Sequence, residues 1–140
     1  MSAIRDSLVQ VPLFRDINKK GIDRLEKIAR TRTFREGEDI VKEGDEGVGF
    51  FLLTKGSADV VRGDTQLAKY GPGDFFGEMA LLDAHRRSAT VRAKEPTECI
   101  AMSRWDFVSE LRANPDLALE MLAVMSRRLR DADTRLAERD

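Results

Sequence analysis

Residues 76–91 read FGEMALLDAHRRSATV, and this stretch decides how the rest of the chain is interpreted. It follows the turn residues Gly71-Pro72-Gly73. It contains two local patterns in succession: a short helix-like segment, Met79 to Leu82, and then a strand-like run that begins at Ser88. Backbone N–H groups at the start of a helical segment have no partner inside it, so those around Gly77 to Ala80 are expected to be available to a small anion.

The side chains of the same stretch suit an anionic ligand that carries a sugar. Gly77 allows close approach of the backbone, and Arg87 can donate two parallel hydrogen bonds to a phosphate. Ser88 adds a hydroxyl, and Glu78 can accept a hydrogen bond from a sugar hydroxyl. Each residue also has an ordinary explanation, because Glu78 complements a helix dipole and Arg87 suits a surface loop. Taken singly, these residues leave both interpretations open.

Outward from this stretch, the region between Thr31 and Met102 consists of short strand-like runs separated by turns that contain glycine. The predicted strands are residues 31–34, 39–41, 49–54, 57–61, 66–70, 88–92 and 98–103. Many short strands separated by tight turns are typical of a sandwich or barrel.

Helices are predicted on both sides of the strands. From Ile4 to Ile28 the apolar residues recur at three- and four-residue steps, with breaks that favour several short helices. Ser103, with Asp106 three residues later, predicts a capped helix that ends at Asn114-Pro115. A last helix runs from about Asp116 to the end, and the fold class is therefore mainly β with flanking helices.

The last helix carries a second pattern. Its apolar residues are spaced three, four, three and four apart: Leu122, Met125, Leu129, Ala132 and Leu136. This spacing is that of a coiled-coil seam, which would join two copies of the chain. The run is short, and the same stripe would also serve to pack the helix on its own barrel, so both alternatives stay open.

Composition excludes several classes of function. The chain has 24 Lys and Arg against 25 Asp and Glu, so it lacks the basic excess that draws proteins to DNA or RNA. No run of about 18 apolar residues exists to span a membrane, and no secretory signal follows Met1. The lone Cys99 lies in an apolar run and is expected to be a buried hydrophobe. A cytoplasmic protein without direct DNA or membrane partners is predicted.

An enzyme is not predicted either. Metal-dependent and triad enzymes need several converging ligands or a base beside a nucleophile, and the chain has a single histidine, His85. The paired carboxylates occupy turn positions, where acidic residues are expected for local reasons. No metal ion and no cofactor are expected.

Several linked motifs together resemble the cyclic-nucleotide-binding domain family, which includes catabolite activator protein and the regulatory subunits of cyclic-AMP-dependent kinase. They are Phe34-x-x-Gly37-x-x-Ile40, Glu43-Gly44-Asp45, Phe50-Phe51-Leu52-Leu53-x-x-Gly56-x-Ala58-x-Val60 and Gly71-x-Gly73-Asp74-x-Phe76-Gly77-Glu78. The resemblance implies an antiparallel β-roll of the jelly-roll or cupin-like barrel type, with N-terminal helices and two C-terminal helices. The implied single domain, residues 1–140, divides into 1–30 (helices), 31–103 (β-roll, with a phosphate-binding cassette at 76–91) and 104–140 (helices).

By that resemblance Glu78 would accept a hydrogen bond from the ribose 2′-hydroxyl, and Arg87 would pair with the exocyclic phosphate oxygens. Backbone N–H groups near Gly77 and at Ala89 would complete the cradle. The family usually has a proline before the binding arginine, and here Arg86 stands there instead, so Arg86 is the competing candidate. The implied ligand-binding residues within the cassette are Phe76, Gly77, Glu78, Met79, Ala80, Arg87, Ser88, Ala89 and Val91.

Recognition of the base is expected outside the cassette, because members with a hydroxyl residue at the Ser88 position include binders of both nucleotides. Alignment with the last helix of the catabolite activator type places Ala132 and Asp133 over the base. Asp133 can accept a hydrogen bond from the adenine amino group or from the N1 and N2 hydrogens of guanine. Cyclic AMP is favoured, with cyclic GMP as the alternative, and Trp105 is assigned a packing role.

The resemblance implies a sensor in which the phosphate draws residues 77–82 inward and the last helix moves over the base. The sequence given contains no helix-turn-helix after this helix, so either the output is expected from a partner or a longer chain, or the domain acts alone as a sensor or dimerisation switch. A homodimer through the last helix is the other expected partner. A ligand-free dimerisation module that keeps only the fold is the alternative.

Overall fold

A computed structural model describes residues 3–46, 49–77, 79–81 and 86–139. Three helices precede the strands: α1 (Ala3–Leu8), α2 (Pro12–Arg15) and α3 (Lys19–Ile28). The strands are β1 (Arg30–Phe34), β2 (Asp39–Val41), β3 (Gly49–Lys55), β4 (Ala58–Arg62), β5 (Thr65–Tyr70), β6 (Phe75–Phe76), β7 (Thr90–Ala93) and β8 (Thr97–Ser103). A 3₁₀ turn at Met79–Leu81 lies between β6 and β7, and α4 (Arg104–Ala113) and α5 (Pro115–Arg139) follow β8.

The strands form two four-stranded antiparallel sheets. One sheet has the order β1-β8-β3-β6 and the other has the order β2-β7-β4-β5. Their inner faces meet in one cluster of buried residues, to which Phe51 and Leu53 contribute from the first sheet and Val60 and Val91 from the second. The predicted β-roll with flanking helices is confirmed.

A second core lies between the first sheet and the helices. Successive side chains of a strand point to opposite faces, so β3 supplies both cores: Phe50 and Leu52 pack against the helices, and Phe51 and Leu53 face the other sheet. This is why β3 is apolar at four successive positions rather than at alternate ones. Strand β3 therefore joins the helical layer and the roll into one packed body.

The predicted helix start at Ser103 is confirmed. Its hydroxyl oxygen accepts a hydrogen bond from the Asp106 N–H at 3.1 Å, and α4 begins at the next residue. The interpretation of Trp105 is wrong, because this side chain is 73% exposed. Phe107, two residues further along, is fully buried and fills the core position of this helix.

Helix α5 packs on the body through Leu117, Met121 and Val124, which are buried. The seam predicted from the sequence lies on another face, where Leu122 is 58% exposed and Leu129 is 64% exposed. Met125, between these two leucines in the stripe, is partly buried against the core, so the alternative in which the stripe packs on its own barrel holds for Met125 but not for Leu122 or Leu129. None of the helices in the described part of the chain is long and apolar enough to cross a membrane.

The predicted strand limits agree with the structure to within two residues. The largest difference is in β7, which begins at Thr90, so Ser88 lies in the bend before the strand and not in it. Strand β6 was not predicted, because two residues are too few to show alternation. It is formed by pairing of Phe75 and Phe76 with the middle of β3.

Candidate functional site

Arg87 occupies a half-buried position where the end of the cassette meets the start of β3. Its guanidinium carbon lies 5.9 Å from the centre of the Phe76 ring. Its Nη2 donates a hydrogen bond to the carbonyl oxygen of Gly49 at 2.5 Å. Its Nε is buried and has no hydrogen-bond partner among the residues that the structure describes. A buried donor without a partner is uncommon, so this guanidinium is a candidate for binding an anionic acceptor.

The electrostatics of Arg87 agree with its geometry. Burial lowers the pKa of Arg87 from its usual value. Among the described residues, no Asp or Glu forms an ion pair with this side chain within 4.0 Å. The group remains charged at neutral pH because arginine titrates far above this range. A partly dehydrated cation of this kind gains more from a bound anion than an exposed one does.

The backbone around residues 86–87 decides between the two arginines. The N–H of Arg87 donates to the Asp45 carbonyl at 2.7 Å, and the N–H of Gly44 donates to the Arg87 carbonyl at 2.8 Å. Arg86, on the other side of this pairing, is exposed, and its Nη1 donates to the Gly44 carbonyl at 2.8 Å. Neighbouring residues in extended backbone point in opposite directions, so only Arg87 faces the interior. The geometry favours Arg87 over Arg86.

Gly77 makes this position of Arg87 possible. Its φ is +81°, a conformation that favours glycine. A Cβ atom built on Gly77 would lie 2.8 Å from Nη1 of Arg87 and would also overlap the Gly49 carbonyl oxygen. The absence of a side chain at Gly77 thus lets the Arg87 guanidinium lie close to its backbone, and the expected approach of a phosphate to Gly77 stays a prediction.

One expectation about the cradle is wrong. The N–H of Ala80 donates to the carbonyl oxygen of Gly77 at 3.0 Å, so this amide is not available to a ligand in this arrangement. The helix-like segment is a single 3₁₀ turn, Met79–Leu81, in which the bond from Ala80 to Gly77 closes the turn. Glu78, Leu82 and His85 lie outside the described residues, and the side chain of Met79 is not described either.

Apolar residues of the cassette build the wall beside the arginine. Phe76 stacks on Phe51 with 5.3 Å between ring centres, and on Tyr70 at the same separation and nearly parallel. Val91 is buried in the inter-sheet core, and Ala89 is partly buried against it. Of the predicted set, Phe76, Gly77 and Arg87 are in mutual contact, and Ala89 and Val91 lie in the core next to them.

Strand β5 presents an uncovered surface beside this wall. Ala68 pairs with the buried Val60 and so lies on the inner face of the second sheet, yet Ala68 is exposed. The first five residues of β5 are exposed and only the last, Tyr70, is partly buried. The inner face of the strand is therefore open to a ligand.

Arg62 was missed in the sequence analysis. Its Nε donates to the Ser88 carbonyl at 2.8 Å, which ties the end of β4 to the residue after Arg87. Glu43 extends this link, because its carboxylate accepts from the Gly63 N–H at 3.2 Å and its own N–H donates to the Thr90 hydroxyl at 2.9 Å. No signal in the sequence could have shown this link, since it depends on which residues of β4 and β7 lie opposite each other.

The two residues expected over the base lie on α5. Ala132 lines a shallow groove with Leu122, Met125 and Leu129, and Asp133 is exposed. Neither residue is among the described residues that line the cavity next to Arg87. Their contact with a base stays a prediction.

The sequence pattern described as "Cyclic nucleotide-binding domain" matches residues 31–114. This range covers the β-roll from the second residue of β1 onward together with α4, and it ends one residue before α5. The chain therefore belongs to the cyclic nucleotide-binding domain family, and its two sheets with flanking helices are the fold of that family.

Individual relatives differ in the nucleotide that they are named for. The chain is 35% identical over 130 residues to the cyclic AMP receptor protein of Thermus thermophilus, a match that covers 89% of this chain and 60% of the relative. It is 31% identical over 128 residues to a cGMP-dependent protein kinase of Eimeria tenella, covering 91% of this chain and 12% of the kinase. The chain thus spans less than two thirds of either relative.

Among solved structures, the N-terminal domain of a transcriptional regulator from Streptomyces coelicolor superposes with a TM-score of 0.83 at 27% identity. The match covers 94% of this chain and 95% of that domain. The similarity therefore extends to the flanking helices as well as to the roll.

Proposed function

We propose that this domain is a cyclic AMP sensor in which Arg87 binds the cyclic phosphate. The observation that carries the proposal is the half-buried guanidinium of Arg87, which has an unpartnered Nε and no ion pair among the described residues. A cyclic phosphodiester has one negative charge, and one arginine neutralises it. Family membership supports the same ligand class.

Binding replaces one partner of Arg87 by another. In this structure its Nη2 donates to the neutral carbonyl of Gly49, whereas a phosphate would offer charged oxygens. A charged acceptor adds Coulomb attraction to the guanidinium that a neutral carbonyl does not supply. The backbone N–H groups of Gly77 and Ala89 are proposed to assist, and Glu78 is proposed to accept a hydrogen bond from the ribose 2′-hydroxyl.

The preference for adenine is proposed to come from α5. Asp133 is exposed and carries a carboxylate that can accept a hydrogen bond from the adenine amino group. Guanine offers donors at N1 and N2 to the same carboxylate, so cyclic GMP is the competing ligand. Movement of α5 over the base would bury part of its exposed surface, and binding shifts this equilibrium only by the difference in affinity between the two states.

Titration calorimetry with cyclic AMP and cyclic GMP tests the proposal, using Arg87→Ala and the adjacent Arg86→Ala as a matched pair. We expect saturable binding that is tighter for cyclic AMP. Arg87→Ala should lose about 2–5 kcal/mol of binding free energy, because the phosphate would be left without its charged partner. Arg86→Ala should change little, since its side chain is exposed and faces away.

Two results would contradict this function. If the wild-type chain gives no saturable heat with either nucleotide, the domain is a ligand-free module. If Arg86→Ala abolishes binding and Arg87→Ala does not, the assignment of the phosphate to Arg87 is wrong.

We propose in addition that the domain forms a homodimer through α5. The support is the exposed seam, in which Leu122 and Leu129 lie seven residues apart and both are more than half exposed. A seven-residue repeat of exposed leucines is self-complementary between two identical helices.

A further inference from the structure

Two arginines of β1, both exposed, lie on the face of this edge strand that is turned toward the space between the sheets. Phe34 is buried in the inter-sheet core, and alternation along the strand puts Arg32 and Arg30 on the same face as Phe34. The cross-strand partners agree, because Arg30 pairs with Ala101 and Arg32 pairs with Cys99, both of which are buried in that core. Charged residues therefore stand where a β-roll would ordinarily place apolar ones.

Contacts of Arg32 confirm this direction. Its guanidinium carbon lies 5.3 Å from the centre of the Phe34 ring. Burial raises the pKa of the Cys99 thiol to about 11, and the charge of Arg32 acts in the opposite sense on this group. The contact with the Phe34 ring places the Arg32 guanidinium on the same side of β1 as Phe34, although the side chain of Arg32 is exposed.

These arginines line a cavity of about 360 Å³ at the edge where β1 and β2 leave the roll open. Its apolar surface comes from the sheets and from the end of α3: Ile28, Ile40, Val41, Phe51, Ala101 and Met102. Its cations are Arg30, Arg32, Lys42 and Arg87. Three carboxylates, Asp45, Glu46 and Asp106, complete the charged lining.

The charges in this cavity do not neutralise one another. Among the residues that the structure describes, none of these seven side chains forms an ion pair within 4.0 Å. Arg30 donates instead to the Lys27 and Ala29 carbonyls, and Arg87 donates to the Gly49 carbonyl. Charged side chains around an apolar surface are the usual composition of a site for a small charged molecule.

The geometry points to a second ligand site: we infer that this cavity binds a small organic anion, with one carboxylate or phosphate group and a flat apolar body. Four cations favour the anionic group, and Phe51 with its apolar neighbours suits the body. The three carboxylates exclude ligands of high negative charge.

Arg87 connects this cavity with the nucleotide site. It lines the cavity, and its unpartnered Nε and its Nη2 are the groups assigned to the phosphate. An anion in the cavity that engages Arg87 withdraws it from the nucleotide. The two ligands therefore bind in competition, and this second half of the inference rests on the proposed function, whereas binding of the anion does not.

Titration calorimetry with benzoate, phenyl phosphate and the neutral benzamide tests the site. Saturable binding of benzoate or phenyl phosphate, with none of benzamide, is expected, and the two anions distinguish a carboxylate from a phosphate ligand. Arg32→Gln and Lys42→Gln should each weaken anion binding about tenfold, because each removes a charged donor. Arg35→Gln is the matched control, since Arg35 is exposed just after β1 and does not line the cavity.

The absence of binding by both anions overturns the inference, and the inward arginines then serve only to prevent pairing of the edge strand with another chain. Equal weakening by Arg35→Gln also overturns it, because the effect would then be one of general charge. If Arg32→Gln abolishes cyclic AMP binding as Arg87→Ala does, the cavity is the nucleotide site and no second site exists.

Competition is measured by titrating cyclic AMP with and without saturating benzoate. The apparent Kd for cyclic AMP should rise at least fivefold with benzoate in the wild-type chain and stay unchanged in Arg32→Gln, by the reciprocity of linked binding. An unchanged Kd in the wild-type chain overturns the competition. Binding of benzoate without any binding of cyclic AMP would instead refute the proposed function and leave the cavity site intact.

Discussion

At the scale of single residues, Gly77 and Gly73 form an informative pair. Both have positive φ, +81° for Gly77 and +93° for Gly73. A Cβ on Gly77 would collide with the Arg87 guanidinium, whereas a Cβ on Gly73 would meet nothing within 4 Å. The two glycines therefore share the conformational requirement, and only Gly77 has the additional steric requirement.

Substitution of these residues separates the two requirements. Gly73→Ala should destabilise the fold by about 1–2 kcal/mol, the cost of left-handed backbone in a residue with a Cβ, and leave cyclic AMP affinity unchanged. Gly77→Ala should destabilise it by about 1–3 kcal/mol and also weaken binding, because Arg87 must move. Urea denaturation and calorimetry on both variants measure the two effects. Unchanged affinity in Gly77→Ala would show that its contact with Arg87 does not matter for the ligand.

The residues of the site differ in how well the sequence predicts them. Arg87 was singled out because the family resemblance places the phosphate-binding arginine after the Phe76-Gly77-Glu78 motif, and the structure adds that its side chain is half-buried in the segment before β7. The amide of Ala80 was mispredicted, because a stretch of three or four residues can close a 3₁₀ turn that uses this N–H internally. Arg62 was not predictable, because its partner lies on another strand.

At the scale of elements, helix α5 has one face that is buried and another that is exposed. One face packs on the body through Leu117, Met121 and Val124. The other carries Leu122 and Leu129, which are exposed. The sequence analysis singled out only the stripe that contains Leu122 and Leu129, and it did not predict the face that packs on the body, because spacing alone does not say which side of a helix meets the rest of the chain. That choice depends on how α4 and the N-terminal helices approach α5.

Leu129→Glu tests whether the exposed face joins two copies of the chain. In a homodimer this change puts two carboxylates into an apolar seam, so we expect the dimer to dissociate while the fold is retained. Sedimentation equilibrium measures the oligomeric state. Ala123→Glu is the matched control, because Ala123 is exposed on the same helix and lies outside the seam. A wild-type chain that is monomeric at all accessible concentrations would contradict the dimer.

At the scale of the whole molecule, the fold was the most predictable property. The short strand-like runs between Thr31 and Met102, separated by turns that contain glycine, indicate the roll. Strand β3 is apolar on both faces because it separates the two cores. The inner arginines of β1 are the main departure. Residues Arg30 to Thr33 read as a polar segment, and only the pairing with β8 shows that Arg30 and Arg32 face inward.

The N-terminal helices also hold the first turns of α5, next to the start of the seam. Glu120 of α5 accepts a hydrogen bond from the N–H of Asn18, the residue that caps α3. Leu117, one turn earlier, is buried against this end of α3 and lies close to Gly21. If α5 moves when cyclic AMP binds, this contact is one that the movement must break.

Loss of the contact should then favour the bound arrangement. Glu120→Ala removes an acceptor that stabilises the unliganded state by about 0.5–1.5 kcal/mol, so the Kd for cyclic AMP should fall by up to about tenfold. Glu120→Gln keeps an acceptor oxygen and should bind nearly as the wild-type chain does. Calorimetry measures the affinities, and thermal denaturation shows the loss of stability. A lower melting temperature in Glu120→Ala with an unchanged Kd would mean that α5 stays docked on α3 in both states, because a contact present equally in both cannot bias the equilibrium between them.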